Sequence, residues 1–125
     1  MSDAYRLLTV DEAPRVTSEK SVTETTDLTA ELDLQELRAR VWHLEPGHDR
    51  KPLHRHETQE ELFYLLEGPG RIQVGDETLE VEPGTAIKFP PATPRRVFND
   101  ADEPAVWLIV GAPPVAHDGV VLEGS

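Results

Sequence analysis

The stretch Gly47-His48-Asp49-Arg50-Lys51-Pro52-Leu53-His54-Arg55-His56-Glu57-Thr58-Gln59-Glu60-Glu61-Leu62-Phe63-Tyr64-Leu65-Leu66-Glu67-Gly68 decides how the rest of the chain is read. Two histidines stand one residue apart, a polar gap of four residues follows, and a carboxylate then opens an apolar run. Alternate side chains of a strand share a face, so His54 and His56 point the same way. With residues 57–60 as the loop of a hairpin, Glu61 stands directly opposite His56, its Cβ roughly 4.5–5.5 Å away. Two imidazoles and one carboxylate then meet at one point, a donor set suited to a divalent metal. A solvated strand with a polar loop edge is the competing account of the same pattern. The apolar run from Leu62 to Leu66, closed by Glu67-Gly68-Pro69-Gly70, weighs against it, because it reads as a buried strand and a turn. A carboxylate heading a buried strand needs a partner for its charge.

Working outward, 11 prolines and 8 glycines punctuate the chain at short intervals, as in all-β folds of many short strands. Tyr5 to Val10 reads as an edge strand and Val16 to Thr26 as an exposed strand or arm. Between Asp27 and Leu37, Leu28, Leu32, Leu37 and Val41 mark a helix face, while the alternation of Leu37, Ala39, Val41 and His43 suits a strand. Downstream, Arg71 to Val74 and Thr78 to Val81 flank Gly75-Asp76-Glu77 as a hairpin, and Glu82-Pro83-Gly84-Thr85 forms a second turn. Ala86 to Phe89, Arg95 to Phe98 and Val106 to Val110 complete the strands. Beyond Gly111, with Pro113-Pro114, a loosely held arm is expected, in which His117 is inert. Parity puts Phe63 and Leu65 on the Glu61 face and Tyr64 on the other. Trp42 and Trp107 are assigned to the core or an interface.

The segment from Leu44-Glu45-Pro46-Gly47 to Leu66-Glu67-Gly68 resembles the first motif of the cupin superfamily, the small single-domain cupins with an RmlC-like jelly roll. Gly47, His54, His56, Glu61 and Gly68 stand at its positions, with one extra residue between Gly47 and His54. The second motif is visible as Pro83-Gly84, Phe89-Pro90-Pro91 and Asn99. The resemblance covers roughly residues 38–111. It implies an all-β double-stranded β-helix, a jelly roll barrel over residues 37–111, with residues 1–36 as an N-terminal arm and edge strands and 112–125 as a C-terminal tail. It implies His54, His56 and Glu61 as ligands of iron, manganese, nickel or zinc. Where the family places a further histidine, this chain has Arg95, and a guanidinium cannot coordinate a metal. Three outcomes stay open: a two-histidine, one-carboxylate site, a site completed by His43 or His48, or a lost metal with Arg95 neutralising Glu61.

If Arg95 takes the inward family position, Val97 and Asn99 face inward with it. Arg95, Phe63 and Asn99 are then the candidate substrate contacts, Arg95 as a planar fork for a carboxylate or phosphate; a surface arginine paired with an acidic neighbour is the alternative. Asn99 also suits a structural bond to a loop. The resemblance points to a metal-dependent oxygenase, isomerase or decarboxylase of a small anionic molecule, or to a non-catalytic binding or sensor module, and to a homodimer.

The 24 acidic residues against 12 basic ones give a net charge of −12, which disfavours nucleic acid and anionic membranes as partners. Only Lys20, Lys51 and Lys88 are lysines, and carboxylate-rich, lysine-poor surfaces suit high salt, so a halophilic source is expected. With no cysteine there is neither a disulfide nor a thiolate site. No signal-peptide pattern opens the chain and no run reaches membrane-spanning length, so a cytoplasmic protein is expected.

Overall fold

Turn chemistry sets the strand boundaries. Gly75 takes φ 57° at the first position of the two-residue loop between β6 (Gly70–Val74) and β7 (Glu77–Val81), paired Val74 to Glu77. A positive φ there matches the right-handed twist of the flanking strands. At Pro83-Gly84, proline fixes the first central φ, Gly84 takes φ 92° at the second, and the Thr85 N–H donates to the Glu82 carbonyl at 3.1 Å.

The computed structural model describes residues 4–17, 23–49, 51–115 and 117–122. The remaining strands are β1 (Val16–Thr17), β2 (Glu24–Thr26), β3 (Arg38–Leu44), β4 (His54–His56), β5 (Glu60–Glu67), β8 (Ala86–Phe89), β9 (Arg95–Phe98), β10 (Ala105–Ala112) and β11 (Gly119–Val121). They form a six-stranded sheet of order β1-β2-β3-β10-β5-β8 and a five-stranded sheet of order β11-β4-β9-β6-β7, antiparallel at every pairing. This is the double-sheet jelly roll expected from the sequence.

Alternation builds the core. Ala105, Trp107, Ile109 and Gly111 are buried along β10, and Glu61, Phe63 and Leu65 along β5, while the residues between them stay partly exposed. Phe63 is the centre, edge-to-face with Trp42 (5.6 Å), Phe89 (5.0 Å) and Trp107 (6.2 Å). Both tryptophans therefore belong to the barrel interior.

Several local expectations fail. Residues 5–9 form no strand; a 3-10 turn follows at Val10–Glu12. The ambiguous segment resolves into a helix, α1 (Leu28–Leu32), capped by Asp27, whose carboxylate accepts the Ala30 N–H, and ended by Asp33 at φ 54°. Of the expected 16–26 strand, only β1 and β2 form among the described residues, since 18–22 lie outside them. The segment after Gly111 is no loose arm, because β11 pairs with β4 in the five-stranded sheet.

Gly68 shows how tightly one turn is specified. It sits at φ 81°, and a Cβ there would lie 1.9 Å from the Pro104 carbonyl oxygen. Gly47 has the same φ with nothing within 4 Å. Gly68→Ala is expected to cost about 3 kcal/mol or more in urea unfolding, and Gly47→Ala only about 1 kcal/mol from backbone strain. Equal losses would mean that the contact with Pro104 does not matter.

Candidate metal centre

His54 and His56 lie on β4 and Glu61 on β5, but these strands are not a hairpin. β4 pairs with β9 and β11 in one sheet, and β5 with β10 and β8 in the other. Residues 57–59 carry the chain around the barrel corner, so Glu61 faces His56 across the interior and not across a ladder. The reason lies in who holds the corner. The Asp118 carboxylate accepts the Thr58 N–H (3.0 Å) and the Gln59 N–H (2.7 Å), and the Asp118 carbonyl accepts the Glu57 N–H (3.2 Å). Those donors would otherwise be free to close a hairpin.

The convergence survives the change of topology. One ligand atom each from His54, His56 and Glu61 lies within 4.8 Å of the others, so the group could hold a metal ion. His56 Nε2 is 3.2 Å from Glu61 Oε1, and two donors about 2.1 Å from a shared ion sit roughly 3.0–3.4 Å apart at octahedral to tetrahedral angles. The buried His56 Nε2 has no well-aligned hydrogen bond despite that short approach. Its other nitrogen, Nδ1, is 3.2 Å from Asp118 Oδ2, and His54 Nδ1 is 3.3 Å from the Pro52 carbonyl. Both Nδ1 atoms face acceptors, so with an ion bound the protons belong there and both Nε2 atoms offer lone pairs; in the metal-free protein His56 Nε2 stands 3.2 Å from Glu61 Oε1 and helps keep that carboxylate ionised. Carboxylate or carbonyl partners of this kind fix the metal-binding tautomer. Burial pushes the His54 pKa down to about 4, so the ring is neutral near pH 7. The residues fit a divalent ion.

Glu61 also has cationic partners. Arg95 Nη2 donates to Oε1 at 2.7 Å and Arg40 Nη2 to Oε2 at 3.0 Å. Burial works to raise the Glu61 pKa, but His56, Arg40 and Arg95 together outweigh it and hold it at about 2. Arg95, paired with His54 across the ladder, is 0% exposed. It is neither a surface arginine nor a free fork, because Nη1 donates to the carbonyls of Pro90, Pro91 and Thr93 and so staples that loop. Phe63 is wholly buried among rings. The Asn99 amide donates to the Leu44 and Glu103 carbonyls and accepts the Ala101 N–H, the structural bond to a loop. Neither His43 nor His48 joins the triad: His43 Nε2 is 2.9 Å from Thr26 Oγ1 and His48 Nε2 is 3.2 Å from Thr23 Oγ1.

Arg40, Asp118 and Lys51 escaped the sequence reading. Asp118 lies in the tail, where only the turn signal Asp118-Gly119 before Val120-Val121 hints at a strand. Lys51 places its ammonium 3.4 Å from the Trp42 ring centroid, and burial together with Arg40 lowers its pKa to about 7.

A family model for the cupin domain matches residues 40–111, and the chain belongs to that family. An uncharacterised protein of Methanocaldococcus jannaschii is 40% identical over 72 residues, covering 57% of this chain and 58% of that relative's length. Two solved structures share the fold: a sugar phosphate isomerase from a cupin superfamily of Silicibacter pomeroyi (TM-score 0.81, 21% identity, 94% of this chain and 82% of that one) and the polyketide cyclase RemF of Streptomyces resistomycificus (TM-score 0.82, 20% identity, 96% and 87%).

Because the folded-state pKa of Glu61 is depressed from 4.5 to about 2, its contribution is fully present above about pH 5 and disappears as pH falls toward 2. Urea unfolding of the metal-free protein is expected to lose about 3 kcal/mol across that window through this group. Glu61→Gln should flatten that part of the profile and cost about 3–5 kcal/mol at pH 7, since Arg95 keeps a buried charge without its partner. An unchanged acid profile in Glu61→Gln would remove Glu61 from the explanation.

Proposed function

We propose that this cupin binds one divalent metal through His54, His56 and Glu61 and acts there on a small anionic molecule. The observation that carries the reading is the pair of imidazoles whose Nδ1 atoms are both turned to acceptors, leaving two inward lone pairs beside a carboxylate. A bound divalent ion would supply Lewis-acid polarisation of a substrate oxygen. The chain's own groups do the rest. Asp118 and the Pro52 carbonyl orient the rings, while Arg40 and Arg95 keep Glu61 ionised and fixed. Lys51, held over the Trp42 ring with its pKa lowered to about 7, is suited to exchange a proton. An isomerase or decarboxylase of a small acid uses these parts directly.

A second reading is a non-catalytic binding module. It is favoured by the buried Arg95–Glu61 pair, which satisfies the carboxylate without any ion. Metal content of the purified protein separates a metal centre from a metal-free module, and turnover of small acids by the metal-loaded protein separates catalysis from binding alone. The first reading expects about one bound divalent ion per chain, abolished by His54→Ala and weakened about 10–100-fold by Asp118→Asn through the loss of ring orientation. Protein that takes up no iron, manganese, nickel or zinc on reconstitution would leave only the second.

A further inference from the structure

A cavity of about 190 Å³ opens beside the triad, walled by Arg38 and Arg40 of β3 and by His56, His117 and Asp118 opposite. We propose that this cavity receives the oxyanion group of a small ligand, a carboxylate or phosphate, with Arg38 and Arg40 as its two guanidinium donors. The inference deepens the reading of the triad as the working centre, since the cavity shares His56 with it.

Strand parity sends both arginines inward. Arg38 pairs with Gly111 and Arg40 with Ile109, both on the interior face of β10. Arg38 has no side-chain partner among the described residues, although the chain carries 24 carboxylates. Two like charges on one face repel each other, so their placement calls for an anion between them. Arg40 gives only Nη2 to Glu61, which leaves Nη1 and Nε for another acceptor. The one carboxylate on the wall, Asp118, is already held by the Thr58 and Gln59 N–H groups and His56 Nδ1, so it does not cancel the arginines. The same guanidiniums exclude a second cation. On a chain of net charge −12, an anion is repelled by the surface as a whole, and a local pair of planar donor forks is what binds it. The volume admits a small molecule and no polymer. His117, expected to be inert, sits at φ 57° on the rim.

The test uses full-length protein stripped with EDTA, titrated calorimetrically with inorganic phosphate and, separately, malonate at fixed ionic strength. At least one probe should bind with Kd on the order of 1 mM, weakened about tenfold by Arg38→Gln. Which probe binds more tightly identifies the oxyanion. The Arg38 side-chain Nε–H resonance of the unsubstituted protein should shift on saturation, reading the same contact with no substitution. If neither probe binds, or if Arg38→Gln binds as well as the parent and the Arg38 resonance is still, the cavity is no anion site. The metal-free design keeps this outcome separate from the metal content of the triad, so either reading can fail alone.

Discussion

The ion pair between Glu61 and Arg95 ties the two sheets together inside the barrel. Glu61 comes from the six-stranded sheet and Arg95 from the five-stranded one, both side chains are 0% exposed, and they meet at 2.7 Å. Two buried charges are tolerable only when most of their remaining donors and acceptors are met. Here three loop carbonyls take Arg95 Nη1 and Arg40 takes the second oxygen of Glu61, while Arg95 Nε is left without a hydrogen-bond partner among the described residues. The pair thus fixes the Pro90–Thr93 loop, the spacing of the sheets at the triad and the place of His54 opposite Arg95 in the ladder. A neutral, well-packed substitute could fill the same volume, but it would not hold a carboxylate at the head of β5 in its ionised form.

That carboxylate was legible in the sequence, and its surroundings were not. Parity counted from Glu61 places Phe63 and Leu65 inside without any knowledge of pairing, because parity is local, whereas the continuous apolar run from Val106 to Val110 does not say which of its residues face inward. The glycine turns were readable for the same reason: a positive φ is a property of one residue. Strand pairing is not local. The four residues between His56 and Glu61 suit a hairpin loop and a barrel corner equally well, and the choice is made by Asp118, some 60 residues downstream. The sequence reading named Arg95 as the departure from the family and held its pairing with Glu61 open, but it could not foresee the bonds to the Pro90, Pro91 and Thr93 carbonyls.

Asp118 also shows how folding and chemistry share one group. By accepting two corner N–H groups it turns the chain from one sheet to the other. By accepting His56 Nδ1–H it aims a lone pair inward. Burial works to raise its pKa, but the Gln59 and Thr58 N–H groups and His56 outweigh it, so the carboxylate stays ionised and the tautomer stays fixed. A tail that looked dispensable therefore orients a ring of the candidate metal centre.

Charge balance links the triad to the neighbouring cavity. Arg40 and Arg95 both pair with Glu61, and Asp118 is held by His56 and two backbone N–H groups, with Arg38 in excess and Lys51 close by. A divalent ion added to that set leaves a surplus of positive charge where water is partly excluded and interactions are strong. An anionic ligand beside Arg38 and Arg40 would reduce it, so on the proposed reading metal and anion would each favour the binding of the other, and that coupling would be reciprocal. The arginines that distinguish this site from a four-ligand one would then couple the ion to an acidic ligand.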